Sequence, residues 1–162
     1  NFARSCRPSE NSLGGGIAWL DDLGRLIEVR DLPVQKGEGL LPGVLAAWLG
    51  KDNRRPHHAW IERVGGRPGE GASRAFDFGR GYGQIEGVCA ALGIAVSMVS
   101  PAVWKRSLRV PADKRECRGR AAQLWPGLAG AFARVKDDGR AEAALIGLYG
   151  ANAMQGHGRA AA

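Results

Sequence analysis

The chain has 162 residues, of which 44% are hydrophobic, and this is enough to build the core of one compact domain. Lysine and arginine number 23 against 16 aspartate and glutamate residues, so the formal net charge is +7. This excess favours a polyanionic partner such as nucleic acid. The sequence has no apolar run of about 18 residues and no basic-then-apolar leader, so we expect neither membrane insertion nor secretion.

The three cysteines, Cys6, Cys89 and Cys117, are odd in number and lack CxxC spacing. This pattern indicates neither a disulfide framework nor a zinc site, and it favours a cytoplasmic protein. The adjacent His57 and His58 have no partner at ligand spacing, so we expect them at the surface.

The predicted elements place strands early in the chain and helices late, which indicates a mixed α/β fold. Residues 1–154 are predicted to form a single domain, and residues 155–162 a disordered tail. In chain order the predictions are a hairpin of strands 16–20 and 26–30, helix 40–49, strand 59–64, helix 73–92, strand 95–99, and helices 102–108, 113–124 and 138–152.

Acidic residues occur at two places that suit a metal-dependent nuclease. Glu62 lies toward the end of the predicted strand 59–64, and Asp137, Asp138 and Glu142 lie at the start of the last predicted helix. Asp138 and Glu142 are four residues apart, so they share one helix face and repel each other unless a divalent cation or polar partner offsets the charge. The alternative is that an aspartate caps the helix and Glu142 is a first-turn acid favoured by the helix dipole.

Four segments of the sequence together carry a family resemblance. Residues 62–64 before a glycine-rich loop, 76–87, 101–105 and 136–143 resemble, in this order, RuvC-type resolvases, and particularly their phage-type relatives. The resemblance spans about residues 14–150. It implies a ribonuclease H-like fold, in which a mixed β-sheet is flanked by helices and four acids bind two Mg²⁺ or Mn²⁺ ions at one end. It also implies a homodimer that cuts four-way (Holliday) or branched DNA, in a bacterium or a phage-infected cell.

The resemblance assigns roles to individual acids. Glu62 matches the acid at the end of the fourth strand, while Glu142 and one of Asp137 or Asp138 match the pair that begins the last helix. The family's first strand is apolar and ends in an aspartate, whose position corresponds to Glu10 here. Residues 1–12 lack that apolar pattern, and Arg4, Arg7 and Pro8 are unsuited to a central strand. Three alternatives follow: Glu10 substitutes for the aspartate, the first acid is absent and catalysis is weak, or the chain is a fragment or altered at its start.

Basic and aromatic residues around these acids are candidates for contacts with DNA. The positively charged candidates either neutralise phosphates or form solvated helix faces. Phe76 and Phe78 either insert between bases at a junction centre or belong to the core. Trp104 is expected to be a packing anchor. The basic candidates are Arg67, Lys105, Arg106, Lys114, Arg118 and Arg120.

The function predicted from these features is metal-dependent hydrolysis of a phosphodiester, with water attacking in line. The resemblance implies that one ion lowers the pKa of the attacking water and that the other stabilises the leaving 3′ oxygen. The alternative hypothesis is a catalytically impaired nucleic-acid-binding module of the same fold.

Overall fold

The computed structural model describes the backbone of residues 2–6, 15–51, 55–63, 71–111 and 113–160, and the side chains of residues 15–156 within these ranges. Glu10 and Arg67 therefore lie outside the described residues. The strands are β1 Phe2–Cys6, β2 Gly15–Leu20, β3 Leu26–Asp31, β4 Val34–Gln35, β5 Gly39–Leu40, β6 His58–Glu62 and β7 Ala95–Val99. The α-helices are α1 Pro42–Leu49, α2 Ala72–Ala91, α3 Pro101–Leu108, α4 Lys114–Leu124 and α5 Asp138–Ala160, and two 3-10 helices cover Pro126–Phe132 and Val135–Asp137.

Five strands form a mixed sheet in the order β3-β2-β1-β6-β7. The pairs β1–β2 and β2–β3 are antiparallel, whereas β1–β6 and β6–β7 are parallel. The three parallel strands therefore end at one edge of the sheet, which we call the carboxyl edge. β2 begins at the same edge, because Gly15 lies opposite Cys6.

Helices cover both faces of this sheet, and the alternation of side chains along β6 shows which helices lie on which face. Ala59 and Ile61 pack in a core with Leu45 of α1. The intervening Trp60 points to the other face and packs with Leu145 of α5. The sheet is thus the middle layer, between α1 and α2 on one side and α5 with its neighbours on the other.

A backbone contact between two glycines places the start of α5 directly on the sheet. A Cβ atom on Gly16 would lie 2.1 Å from the carbonyl oxygen of Gly139, and a Cβ on Gly139 would lie 2.8 Å from the nitrogen of Gly16. Both neighbours are backbone atoms, so no side-chain rotation can relieve such a clash. Only glycine at these two positions lets α5 begin against the first residues of β2, at the carboxyl edge.

The start of the chain departs from the sequence-based expectation. Residues 2–6 form β1, a central strand paired with β2 on one side and β6 on the other, although the charged Arg4 was expected to disfavour this. Hydrogen-bonded neighbours on both sides satisfy the backbone of β1, and tertiary pairing of this kind overrides residue preference. The described part of this strand is Phe2–Cys6, and Arg7 and Pro8 lie outside the described residues.

Further elements differ from the prediction, among them the two 3-10 helices, which were not predicted. The elements that were predicted agree within a few residues at their ends, apart from the end of the last helix. The last helix does not end at Asn152 but continues to Ala160, so residues 155–160 are helical rather than a disordered tail. Its alanines favour helix, and the Gln155 side-chain amide donates to the carbonyl of Asp22 at 2.8 Å. The short hairpin β4–β5 was not predicted, and Gly37 and Gly39 allow its turn with φ values of +84° each.

In the described part of the chain, no helix has the length and apolar character needed to cross a membrane.

We predict that Gly139→Ala lowers the free energy of unfolding by about 1–3 kcal/mol, because the added methyl group must push α5 away from β2. Urea unfolding measures this loss. The matched control is Gly83→Ala in α2, where a Cβ meets nothing within 4 Å. Removing that glycine is expected to stabilise the protein by up to about 1 kcal/mol. A Gly139→Ala variant as stable as the wild type would contradict the contact.

Candidate active site

Glu62 is a fully buried carboxylate at the carboxyl edge of the sheet. It ends β6, its exposed fraction is 0%, and strand alternation directs it to the α5 face, as for Trp60. The indole nitrogen of Trp104, on α3, donates a hydrogen bond of 3.0 Å to Glu62 Oε1. Trp104 is itself fully buried, so the carboxylate is held by a side chain that cannot easily move.

Glu142 is the second buried carboxylate, with an exposed fraction of 1% on α5. The Lys105 ammonium nitrogen lies 3.9 Å from Glu142 Oε1 and 5.2 Å from the centre of the Trp104 ring. Consecutive residues of α3 therefore contact the two carboxylates, Trp104 with Glu62 and Lys105 with Glu142.

The packing of α5 across β6 explains why both acids lie at the same end of the sheet. A Cβ on Gly150 would lie 2.2 Å from Trp60, so α5 touches β6 at that point, and the Tyr149 ring packs edge-on against Trp60 at 5.4 Å. Glu142 precedes Gly150 by two turns, or about 12 Å along the helix toward the carboxyl edge. Glu62 follows Trp60 by about 7 Å in the same direction.

Asp138 lies one turn before Glu142 and is paired with two cations of α4. The Arg118 guanidinium donates to Asp138 Oδ1, and the Lys114 ammonium nitrogen lies 3.7 Å from Oδ2. The side chain of Asp138 is 19% exposed. These two ion pairs hold the beginning of α5 against α4. An acid in the first turn of a helix is also favoured by the helix dipole.

The partners of Asp137 are arginines that stabilise the turn before α5. Its fully buried carboxylate accepts hydrogen bonds from the backbone nitrogen and the guanidinium of Arg134, each at 2.8 Å, and Arg140 lies 3.7 Å away. Burial raises the pKa of Asp137, but the bonds from Arg134 and the charges of Arg134 and Arg140 outweigh it and hold the pKa below 3.8. Arg140 also forms two hydrogen bonds with Asp31 of β3, at 2.8 and 2.6 Å, which tie α5 to the sheet.

The predicted group of acids is only partly assembled in the described residues. Glu62 and Glu142 share the α3 contact, but no three or more histidine, cysteine, aspartate or glutamate side chains in the described ranges are grouped to hold a metal ion. Asp137 and Asp138 therefore do not form one such group with Glu62 and Glu142. The two buried carboxylates still suit a hard divalent cation in kind, because such ions take oxygen ligands and often only one or two carboxylates. Lys105, 9% exposed, is a cation that lies beside Glu142 in the same buried region.

The structure separates the candidate DNA contacts by exposure. Phe76 is 69% exposed, so the interpretation of this residue as core is wrong, whereas Phe78 is partly buried with its ring 6.3 Å from Tyr82. Lys105 is only 9% exposed and lies inside the acid site rather than on an open helix face. Of the remaining basic candidates, Lys114 and Arg118 pair with Asp138, while Arg106 and Arg120 are exposed.

The sequence predicted Trp104 as a packing anchor, and its full burial confirms this. Its hydrogen bond to Glu62 was not predicted. The sequence did contain a basis for it, because a buried indole N–H usually finds an acceptor. The acceptor, Glu62, lies 42 residues from Trp104 in the sequence, so the sequence alone could not identify it.

Comparison with known proteins bears on the fold. No family model matches the chain, and no curated protein matches it. Among solved structures, Thermus thermophilus RuvC in complex with a Holliday junction substrate superposes with a TM-score of 0.66 and 18% identity, over 96% of this chain and 97% of that one. A second Thermus thermophilus RuvC structure gives a TM-score of 0.62 and 20% identity over the same shares. The chain has the RuvC fold. The predicted mixed sheet flanked by helices is thereby confirmed.

Within this RuvC fold, we predict that Asp137→Asn lowers the free energy of unfolding at neutral pH by about 1–3 kcal/mol, the scale of a buried hydrogen bond to a charged group. Because the folded-state pKa is depressed, the contribution of Asp137 is complete above 3.8 and is lost as the pH falls through the lower folded value. The difference between wild type and variant should therefore shrink as the pH falls below 3.8.

Unfolding in urea from neutral pH to about pH 2 measures this difference. The control is Asp77→Asn, since Asp77 is an exposed acid that lies 3.7 Å from Arg80 and should contribute less than about 1 kcal/mol at any pH. A pH-independent difference for Asp137→Asn would show that its charge is not involved.

Proposed function

We propose that the protein is a divalent-metal-dependent endonuclease that cuts four-way or branched DNA by hydrolysing phosphodiester bonds. The observation that carries the proposal is the pair of fully buried carboxylates, Glu62 and Glu142, at the carboxyl edge of a RuvC fold. In open α/β sheets, ligands bind beyond the carboxyl ends of the parallel strands. One solved RuvC of this fold is in complex with a Holliday junction substrate, and the net charge of +7 suits DNA.

The chemistry of the two buried side chains supports a bound cation. Carboxylates withdrawn from water are stabilised by a cation that they bind, and hard divalent ions prefer oxygen ligands. We propose Glu62 and Glu142 as ligands of Mg²⁺ or Mn²⁺, in a site that would hold two ions. Glu10 is the proposed further ligand from the start of the chain, and it lies outside the described residues.

Of the two neighbouring aspartates, we assign the remaining ligand role to Asp138. It is one turn from Glu142, its side chain is 19% exposed, and a metal ion bound there would take the place of Arg118 and Lys114 as its partner. Asp137 uses both carboxylate oxygens to bond Arg134, and these bonds form the turn that leads into α5. Removing Asp137 from that turn would disrupt the start of the helix.

A bound divalent cation would neutralise charge at the scissile phosphate and lower the pKa of an attacking water. The residues of the chain hold and surround the reacting groups. Trp104 and Lys105 keep Glu62 and Glu142 at the carboxyl edge, while the exposed Arg106 and Arg120 neutralise flanking phosphates. Such contacts position the DNA without reading its sequence.

A second candidate function is a nucleic-acid-binding module with little or no catalysis. The observation that favours it is that the described residues contain no group of three acids or other metal ligands. Such a protein would retain the fold and the basic surface and would bind junctions without cutting them.

Two symmetric nicks in a four-way junction require two active sites related by a two-fold axis. We therefore propose a homodimer as the active form. Paired nicks at symmetric positions support it, whereas single nicks support an active monomer.

We predict that Glu62→Gln and Glu142→Gln each reduce cleavage of a labelled four-way junction by at least about a hundredfold, because each removes a charge at the reacting centre. Asp138→Asn should behave likewise, and Asp137→Asn should remain active where it is folded. Junction binding should be retained in all four, because the basic surface is unchanged. Gel assays with Mg²⁺ or with chelator measure both properties.

The matched control is Glu86→Gln, which alters a glutamate of α2 on the other face of the sheet and should cut as the wild type does. A wild-type protein that binds the junction in Mg²⁺ but leaves it intact supports the binding module. Full cleavage by Glu62→Gln would refute the site, and an absence of salt-sensitive DNA binding would refute both functions.

We predict that Phe76→Ala weakens binding to a four-way junction about tenfold and leaves linear duplex binding unchanged, since stacking on a base contributes about 1–3 kcal/mol. Residues 72–77 at the start of α2 are all exposed, so the change should not affect folding. The control Val44→Ala removes a 38% exposed apolar side chain of α1 and should change neither affinity. Equal loss on junction and duplex would show that Phe76 does not recognise the junction centre.

A further inference from the structure

The hydrogen bond between Trp104 and Glu62 is unusual in its setting, because both side chains have an exposed fraction of 0%. A buried indole N–H gains by finding any acceptor, and a buried carboxylate gains by finding donors. The pairing therefore favours the folded state. It also restricts the carboxylate, because a rigid donor at 3.0 Å limits the positions that Oε1 can take.

The rest of the Trp104 environment makes this donor rigid. Its ring packs in the core with Val99 of β7 and Leu145 of α5, and the Lys105 ammonium nitrogen lies 5.2 Å from the ring centre. Because these contacts restrict the indole ring on several sides, its N–H cannot move with the Glu62 carboxylate. Glu62 must therefore adopt the orientation that Trp104 permits.

We propose that Trp104 is a positioning residue, which orients the Glu62 carboxylate for metal binding through its indole N–H without touching metal or DNA itself. This inference rests on the proposed function. Holding Oε1 also restricts the positions of Oε2, so the ligand is partly ordered before a cation binds. Groups that hydrogen-bond a metal ligand typically contribute about 10–100-fold to metal affinity or activity.

A comparison of two tryptophans in the absence of DNA separates positioning from packing. Trp104→Phe keeps a ring in the core and removes the N–H donor, so the dissociation constant for Mn²⁺ should rise about 10–100-fold. The control is Trp60→Phe, two residues before Glu62 on the same strand face, whose indole nitrogen is buried with no hydrogen-bond partner among the described residues. It should bind Mn²⁺ as the wild type does. The signal of free Mn²⁺ in electron paramagnetic resonance measures both.

Cleavage kinetics give a second measure of the same effect. For Trp104→Phe, the Mg²⁺ concentration at half-maximal rate should rise about 10–100-fold, and saturating Mg²⁺ should restore most of the rate. A purely structural defect would instead lower the rate at every Mg²⁺ concentration in proportion to the loss of folded protein.

Nuclear magnetic resonance tests the contact even if Trp104→Phe does not fold. The chain has five tryptophans and hence five indole N–H resonances. One resonance should move both when Glu62 is replaced by glutamine and when Mg²⁺ is added to the wild type. The same resonance should not respond to Mg²⁺ in Glu62→Gln. If no indole resonance responds to both changes, the proposal is overturned.

The outcomes separate this inference from the function on which it rests. If Glu62→Gln loses metal binding and cleavage while Trp104→Phe keeps normal Mn²⁺ affinity, Trp104 only packs, and the proposed nuclease stands. Equal weakening in Trp104→Phe and Trp60→Phe would also overturn the positioning role. If Glu62→Gln binds metal and cuts as the wild type does, the proposed function itself fails.

Discussion

The close approach of α5 to the sheet is the constraint on which the rest of the structure depends. Gly16 and Gly139 bring the helix into backbone contact with β2, and Gly150 brings it against the Trp60 ring. Between these points, the helix has a single path across the sheet, with its first turns at the carboxyl edge. The ion pairs of Asp137, Asp138 and Arg140 then hold that beginning against β3, α4 and the preceding turn. The position of Glu142 beside α3 is a result of this path.

Helix α3 also holds the two buried carboxylates in place. It contributes one apolar residue with a polar tip, Trp104, and one long cationic residue, Lys105, and each contacts one carboxylate. Neither acid could be buried at low cost without such a partner, because desolvation penalises an unaccompanied charge. The helix therefore connects the strand acid with the helix acid, although those two residues are 80 positions apart in the chain, at 62 and 142.

Much of the fold could be predicted from the sequence, because the pattern of apolar residues reports local structure. Strands β2, β3 and β7 and helices α1 to α4 were located within a few residues. β1 could not be predicted, because its place in the sheet comes from neighbours on both sides and not from its own composition. The acids were identified by type and spacing, but spacing cannot show which partner each one meets. Asp137 and Asp138 are adjacent in sequence and yet bond to different cations, and only the packing of α4 and the turn before α5 decides this.

The alternation along β6 has a consequence for how the protein can fail. Ala59 and Ile61 face one apolar layer, while Trp60 and Glu62 face the other, and the strand period is two residues. A shift of one residue in the pairing of β6 would insert a carboxylate among aliphatic side chains and withdraw Trp60 from its recess at Gly150. A misregistered molecule would lose stability and would also misplace Glu62. The molecules that fold stably are therefore the ones in which Glu62 lies at the carboxyl edge.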